Sequence, residues 1–149
     1  MTDVKKVYEA KTYPHLKGLK GISDALLETH FALYAGYVKN TNLLTEQLLA
    51  QARDGKAAGT NLGYAEMTRR LGFEYNGMVL HEWYFGNVKA GVAAKADGGF
   101  AKAVAEQFGS FDAWKADFGA TGKSRSIGWA IAFFDPATGA INNHFVQLH

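Results

Sequence analysis

Residues Leu26–Asn42 read LLETHFALYAGYVKNTN, and the fold turns on how this stretch is taken. Its one histidine, His30, is followed by Tyr34 four residues on and by Tyr37 seven residues on. At about 100° per residue these offsets put all three side chains on one helix face. Leu26, Leu27, Leu33 and Val38 make the rest of that face apolar, so the imidazole and the two phenols are expected to point into a core or a buried site. A buried histidine needs a partner for its ring nitrogens.

Working outward, Ser23 reads as the N-cap of a long helix, with Asp24 in the first turn to complement the dipole. That helix is expected to run to about Ala52, with a bend possible near Gly36. Arg53–Gly63 holds three glycines and reads as a loop. A second helical pattern covers about Tyr64 to Val88, with Met67, Leu71, Tyr75, Met78, Val79 and Phe85 at helical spacing. The small residues of 89–99 form a boundary, giving domains at 1–90 and 96–149. Beyond it come a short helix over Phe100–Phe108 and a second one capped by Ser110 in SFDAWKADF. WAIAFF, the turn sequence DPATG and INNHFVQLH then make a β-hairpin. The fold class is therefore α+β: a long N-terminal helical hairpin, then a small α/β domain with antiparallel sheet. A two-stranded ribbon with an apolar edge is marginal alone, so either a helix layer covers it, a partner supplies more sheet, or the C-terminal part of a larger unit is missing.

Composition narrows the function. The chain has 149 residues, a net charge of +2 and lysines scattered rather than clustered, which argues against nucleic-acid binding. No run approaches the roughly 18 to 20 apolar residues of a membrane span, and no apolar leader follows Met1, so a cytoplasmic protein is expected. With no cysteine there is neither a disulfide nor a thiolate ligand or nucleophile.

Of the five histidines, His15, His30, His81, His144 and His149, two sit in long helical patterns. His81 lies in YNGMVLHEWYF, with Gly77 four residues before it, Phe85 four after it, and Trp83 and Tyr84 nearby. Taken alone, each is readily a core histidine, and Gly77 a mark of tight helix packing. Together, one inward histidine on each of two helices, walled by aromatics, reads either as half of a transition-metal site or as a pair of packed core histidines.

HFALYAGYVKNTN, YNGMVLHEWYFGN, FGSFDAWKADF and SRSIGWAIAFFDPATG, in that order, resemble successive signatures of the iron/manganese superoxide dismutase family. The resemblance implies one mononuclear iron or manganese ion held by three histidines and one aspartate, superoxide as substrate, and a homodimer or homotetramer. Carried over, His30 is the first metal ligand and His81 the second. Tyr37 matches the gateway tyrosine and Tyr34 a second-sphere position. The His30–Tyr37 spacing is one residue shorter than the commonest family pattern, which leaves the two phenol roles exchangeable. Phe85 and Trp129 match the aromatic wall, with Ile131 where many relatives carry a second tryptophan. Gly77 resembles manganese-type members, whose solvent-orienting group comes from the sheet, and His149 falls near that position.

The chain departs from the family pattern at its end. The third and fourth ligands belong to an Asp-x-x-x-His segment that nothing here matches; neither Asp112 nor Asp117 has a histidine four residues on. His144 and His149 are five apart and on a regular strand would face opposite sides. Three readings follow: a dismutase completed by another chain or segment carrying the missing Asp and His, a catalytically silent truncated relative acting as a structural or binding module, or a metalloprotein using His30, His81 and one C-terminal histidine.

Overall fold

The computed structural model describes residues 7–93, 95 and 97–149. Met1–Lys6 of the N-terminal segment, and residues 94 and 96 at the expected domain boundary, lie outside the described residues. The chain divides into two compact units, Met1–Val92 and Ala93–His149. The elements are helical plus one antiparallel sheet, an α+β arrangement.

The first unit is a pair of long helices, α1 (Asp24–Arg53) and α2 (Leu62–Asn87), preceded by a 3-10 turn at Pro14–Leu16. α1 is a single helix through Gly36. It starts where Ser23 Oγ accepts from the Leu26 amide at 3.2 Å, and α2 starts where Asn61 Oδ1 accepts from the amides of Gly63 and Tyr64; both satisfy amides that a helix start leaves unpaired. The connecting loop is shorter than expected, because Arg53 finishes α1 and Leu62 and Gly63 already belong to α2.

The buried positions show how the helices meet. On α2 they include Glu74, Met78, His81 and Phe85, spaced 4, 3 and 4. On α1, Leu27, Tyr34, Val38 and Thr41 are buried, and the partly buried Phe31 completes a 4, 3, 4, 3 series. This alternation is the seam of a helix pair packed in coiled-coil fashion. One expectation is corrected here: Leu26 and Leu33 do not join the core, being 57% and 52% exposed. At about 100° per residue the α1 seam is centred about 50° from His30, on the Leu27 and Tyr34 side, and the two leucines fall on the opposite flank. His81 occupies the seam itself, whereas His30 sits at its border and is half-buried.

Residues Tyr8–Tyr13 run along the pair as a strap. Tyr8 is pinned in both directions by Asn42, whose Oδ1 accepts from the Tyr8 amide at 2.9 Å and whose Nδ2 donates to the Tyr8 carbonyl at 2.8 Å. The buried Glu74 carboxylate is met by Arg70, with Nη2–Oε1 at 2.6 Å, and the Arg70 guanidinium stacks 4.8 Å from the Phe73 ring centre.

The second unit contains α3 (Gly99–Phe108), α4 (Phe111–Gly122), β1 (Gly128–Phe134) and β2 (Ile141–Gln147). Ser110 caps α4 by accepting from the Ala113 amide at 3.0 Å. β1 and β2 pair antiparallel, with Trp129 opposite Val146 and Ile131 opposite His144. Gly128 has no alternative, since a Cβ there would lie 2.1 Å from the Val146 carbonyl oxygen. The turn is stapled by Asp135, which accepts from the Thr138 hydroxyl at 2.7 Å and the Ala137 amide at 2.9 Å. The helices hold the hairpin through side chains: Gln107 brackets the Ile141 backbone, and the Trp114 indole N–H donates to Asn143 Oδ1 at 3.0 Å. β2 ends at Gln147, and Leu148 is left-handed with φ 60°. The alternation expected between His144 and His149 therefore does not apply, because His149 lies beyond the strand.

Candidate metal centre

His30 and His81 meet across the α1–α2 seam. Their rings are 4.8 Å apart, centre to centre, and nearly perpendicular at 81°. Aromatic rings enclose them. Phe85 lies 5.0 Å from His30 and 5.9 Å from His81, and Tyr84 lies 5.5 Å from His30. Tyr37 and Tyr34 lie 5.2 Å and 6.4 Å from His81. Phe85, with no exposed surface, is the hub of this cluster. Trp83, which the sequence adds to the same wall, instead points outward and is 58% exposed.

Gly77 is the structural hinge of the site in two ways. A Cβ at this position would fall 2.7 Å from Tyr37 Cδ1, so the Tyr37 ring occupies the space that any side chain on Gly77 would need. The Gly77 carbonyl also receives the Nδ1–H of His81 at 2.6 Å. A hydrogen bond from one ring nitrogen to a backbone carbonyl fixes the tautomer and leaves the basic lone pair on Nε2, as in many metal-ligating histidines. For His30, burial lowers the pKa below the ordinary histidine value, which favours the neutral imidazole.

The two tyrosines differ. Tyr34 is buried, its hydroxyl donating to Glu82 Oε1 at 2.9 Å and accepting from the Lys11 amide at 3.1 Å. Burial, more than any neighbour, holds its phenol far above the usual tyrosine pKa. Tyr37 is half-buried; burial again raises its pKa, with the Glu74 charge adding to the effect and Arg70 opposing it. A cavity of about 480 Å³, lined among others by Lys11, Tyr13, Lys17, Glu28 and Phe31, borders the cluster through Tyr13 and Phe31; neither histidine lines it.

The remaining expected site residues lie in the second unit. His149 Nδ1 accepts from the Trp129 indole N–H at 3.0 Å. His144 is exposed, its ring 4.7 Å from Phe133. Among the described residues no three histidines, aspartates or glutamates converge as a metal-binding group. Two imidazoles in an aromatic enclosure fit a transition metal as part of a donor set, with the other donors still to be supplied. Glu82 and Lys11 escaped the sequence reading. The only signal for Glu82 was its place directly after His81, and Lys11 gave none, because strap-to-helix contacts have no periodicity.

The chain thus combines a long helical hairpin, in which an imidazole from each helix meets the other, with an α+β unit that contains an antiparallel hairpin. Residues 96–148 match the sequence profile described as iron/manganese superoxide dismutases, C-terminal domain. The chain is 34% identical over 148 residues to the iron superoxide dismutase of Aquifex pyrophilus, an alignment covering 96% of this chain and 69% of that protein. It is 30% identical over 129 residues to manganese superoxide dismutase 2 of Haloferax volcanii, covering 86% of this chain and 62% of that one. To the iron superoxide dismutase of Cupriavidus metallidurans it is 31% identical over 134 residues, covering 88% and 66%. The chain belongs to the iron/manganese superoxide dismutase family, and it spans roughly two thirds of the length of these relatives. Among the described residues no helix is long and apolar enough to cross a membrane.

Proposed function

We propose that this chain contributes two protein donors, His30 and His81, to a mononuclear iron or manganese centre that dismutes superoxide to dioxygen and hydrogen peroxide. The observation that carries the reading is the facing pair of imidazoles, 4.8 Å apart, with the His81 tautomer set by the Gly77 carbonyl. Relatives designated as iron and as manganese forms align at similar identity, so either ion is the cofactor. When bound, the ion supplies the electron cycling between two superoxide molecules. The residues of this chain hold and shield it. His30 and His81 present ring nitrogens, and Phe85, Tyr84 and Tyr37 shield the two rings from water. Tyr37, the more open phenol, is the group at which a proton enters, and Tyr34 backs His81 from within the core. His149, joined to Trp129, is the solvent-orienting group in this reading. The remaining donors, an aspartate and a histidine, come from another chain or segment, within a homodimer, a homotetramer or a complemented assembly.

A second reading is favoured by one observation, the absence of a three-residue donor group among the described residues. In it the chain is a catalytically silent relative that acts as a structural or binding module. Elemental analysis with a dismutation assay, made on the assembly of this chain with the chain or segment that brings the remaining donors, separates the two. The first reading requires bound iron or manganese, lost in His30→Ala and His81→Ala and kept in His144→Ala. Metal below a tenth of an equivalent, with no dismutation after loading, selects the second.

A further inference from the structure

One buried polar network ties the N-terminal strap to both long helices. Tyr34 is 1% exposed, yet its hydroxyl has both a donor and an acceptor committed: it donates to Glu82 Oε1 at 2.9 Å and accepts from the Lys11 amide at 3.1 Å. Lys11 then closes the circuit, since its ammonium pairs with the other Glu82 oxygen, Oε2. Three residues thus form a ring of hydrogen bonds between the strap, α1 and α2. The Glu82 side chain is 19% exposed and the Lys11 side chain 63%, so the network runs from the surface to a buried phenol. The Tyr34 ring in turn lies 6.4 Å from His81, the planes only 29° apart.

We propose that Glu82 is a positioning residue for the metal centre. It anchors the Tyr34 hydroxyl, fixing the Tyr34 ring as a backing plate against His81, and Lys11 holds Glu82 in register from the strap. The inference rests on His81 being a metal donor and adds a residue that acts on it through another side chain.

The argument is geometric. His81 is fixed along its edge by the Gly77 carbonyl, a bond that still allows the ring to tilt about it. The rings packed against it resist the tilt, and among them Tyr34 is tethered at its far end by two hydrogen bonds. A buried hydroxyl that loses its acceptor seeks another, and it moves its ring in doing so. Outer groups that orient a ligating histidine are worth about 10–100-fold in metal affinity. Glu82 follows His81 on the same helix, so one turn of α2 carries both the donor and the anchor of its backing ring.

The test uses the full chain and two readouts. In the metal-free protein, the His81 ring-proton shifts in NMR report the stacked Tyr34 ring directly. Glu82→Leu, which removes the acceptor, should move them in the same direction as Tyr34→Phe, and the double variant should add nothing further. Glu82→Gln, which keeps an acceptor oxygen, should restore the parent shifts, and Lys11→Met, which keeps the backbone amide, should move them less than Glu82→Leu. The second readout is cobalt(II) titration, in which Glu82→Leu should weaken binding about 10-fold and Glu82→Gln should not. His81 shifts that ignore Glu82→Leu, or that change as much in Glu82→Gln, overturn the proposal. A parent chain that binds no cobalt overturns the metal reading instead, and the metal-free shifts then still decide whether Glu82 positions Tyr34 against His81.

Discussion

In the helix pair, His81 is 2% exposed, hydrogen-bonded within its own helix and packed against the rings of His30, Tyr34, Tyr37 and Phe85. In the β-hairpin, His144 stands in the open on a strand with Phe133 beside it. The two regions contain the same kinds of side chain, and each pairs a histidine with aromatics. The difference lies in what surrounds the pair. Two long helices cover each other's seam along several turns, whereas each strand of a two-stranded ribbon has one partner and one open edge. Burial of the histidine is therefore a property of the seam position, and the aromatic neighbour alone does not create it.

That contrast can be broken in several ways. The largest effect is expected from Phe85→Ala, which empties the hub of the helix-pair cluster and should cost about 3–5 kcal/mol in denaturant unfolding. Phe134→Ala on the hairpin, at a side chain 65% exposed, should stay within about 0.5 kcal/mol. Equal losses would mean that the hairpin is as tightly packed as the helix pair. Next come two identical substitutions in α2. Gly77→Ala drives a methyl into the Tyr37 ring and should destabilise by about 1–3 kcal/mol. Gly72→Ala meets no atom within 4 Å and should stabilise by up to about 1 kcal/mol. Thermal melts of the pair should move in opposite directions. In the second unit, Ser110→Ala removes the α4 cap and should cost about 1 kcal/mol, read as faster amide exchange in the first turn of α4.

The smallest effects separate the regions by pH. Burial lowers the His30 pKa from 6.5, so the unfolded chain takes up a proton first. The stability that His30 contributes is present above that value, falls as pH drops below it and is fully lost beneath the folded pKa. The Asp135 carboxyl is held below the usual 3.8, first by the Thr138 hydroxyl and then by the Ala137 amide. Its contribution is present above that value and disappears as pH falls through its folded pKa. Unfolding followed by NMR at successive pH values should show the helix pair weakening before the hairpin turn. Asp135→Asn should remove only the second, more acidic step.

How much of this was legible follows from where the information sits. The α1 start was readable because Ser23 caps locally, and the hairpin because Asp135, Thr138 and Gly139 specify a turn without help from elsewhere. His30 and His81 could be paired because both lie in periodic segments. The fate of Leu26 and Leu33 was not readable, since the face drawn around His30 is about 50° away from the seam the helices use. That rotation depends on α2, through Met78, His81 and Phe85, and no property of α1 alone contains it. The Lys11–Glu82–Tyr34 ring was hidden for a related reason: its members are separated by 23 and 48 residues and belong to three different segments.

The bond from His81 to the Gly77 carbonyl has a consequence for how metal would be acquired. It closes within four residues of one helix, so α2 can aim its imidazole before α1 arrives. A ring already held by its own helix loses little rotational freedom when an ion binds, and the entropy of ordering is spent during helix formation and not at the moment of capture. Among the described residues no hydrogen bond ties the half-buried His30 to its own helix, so in the proposed metal site it would be the partner that adjusts to the size of the ion. Rigidity and accommodation are thus divided between two helices that present the same chemical group.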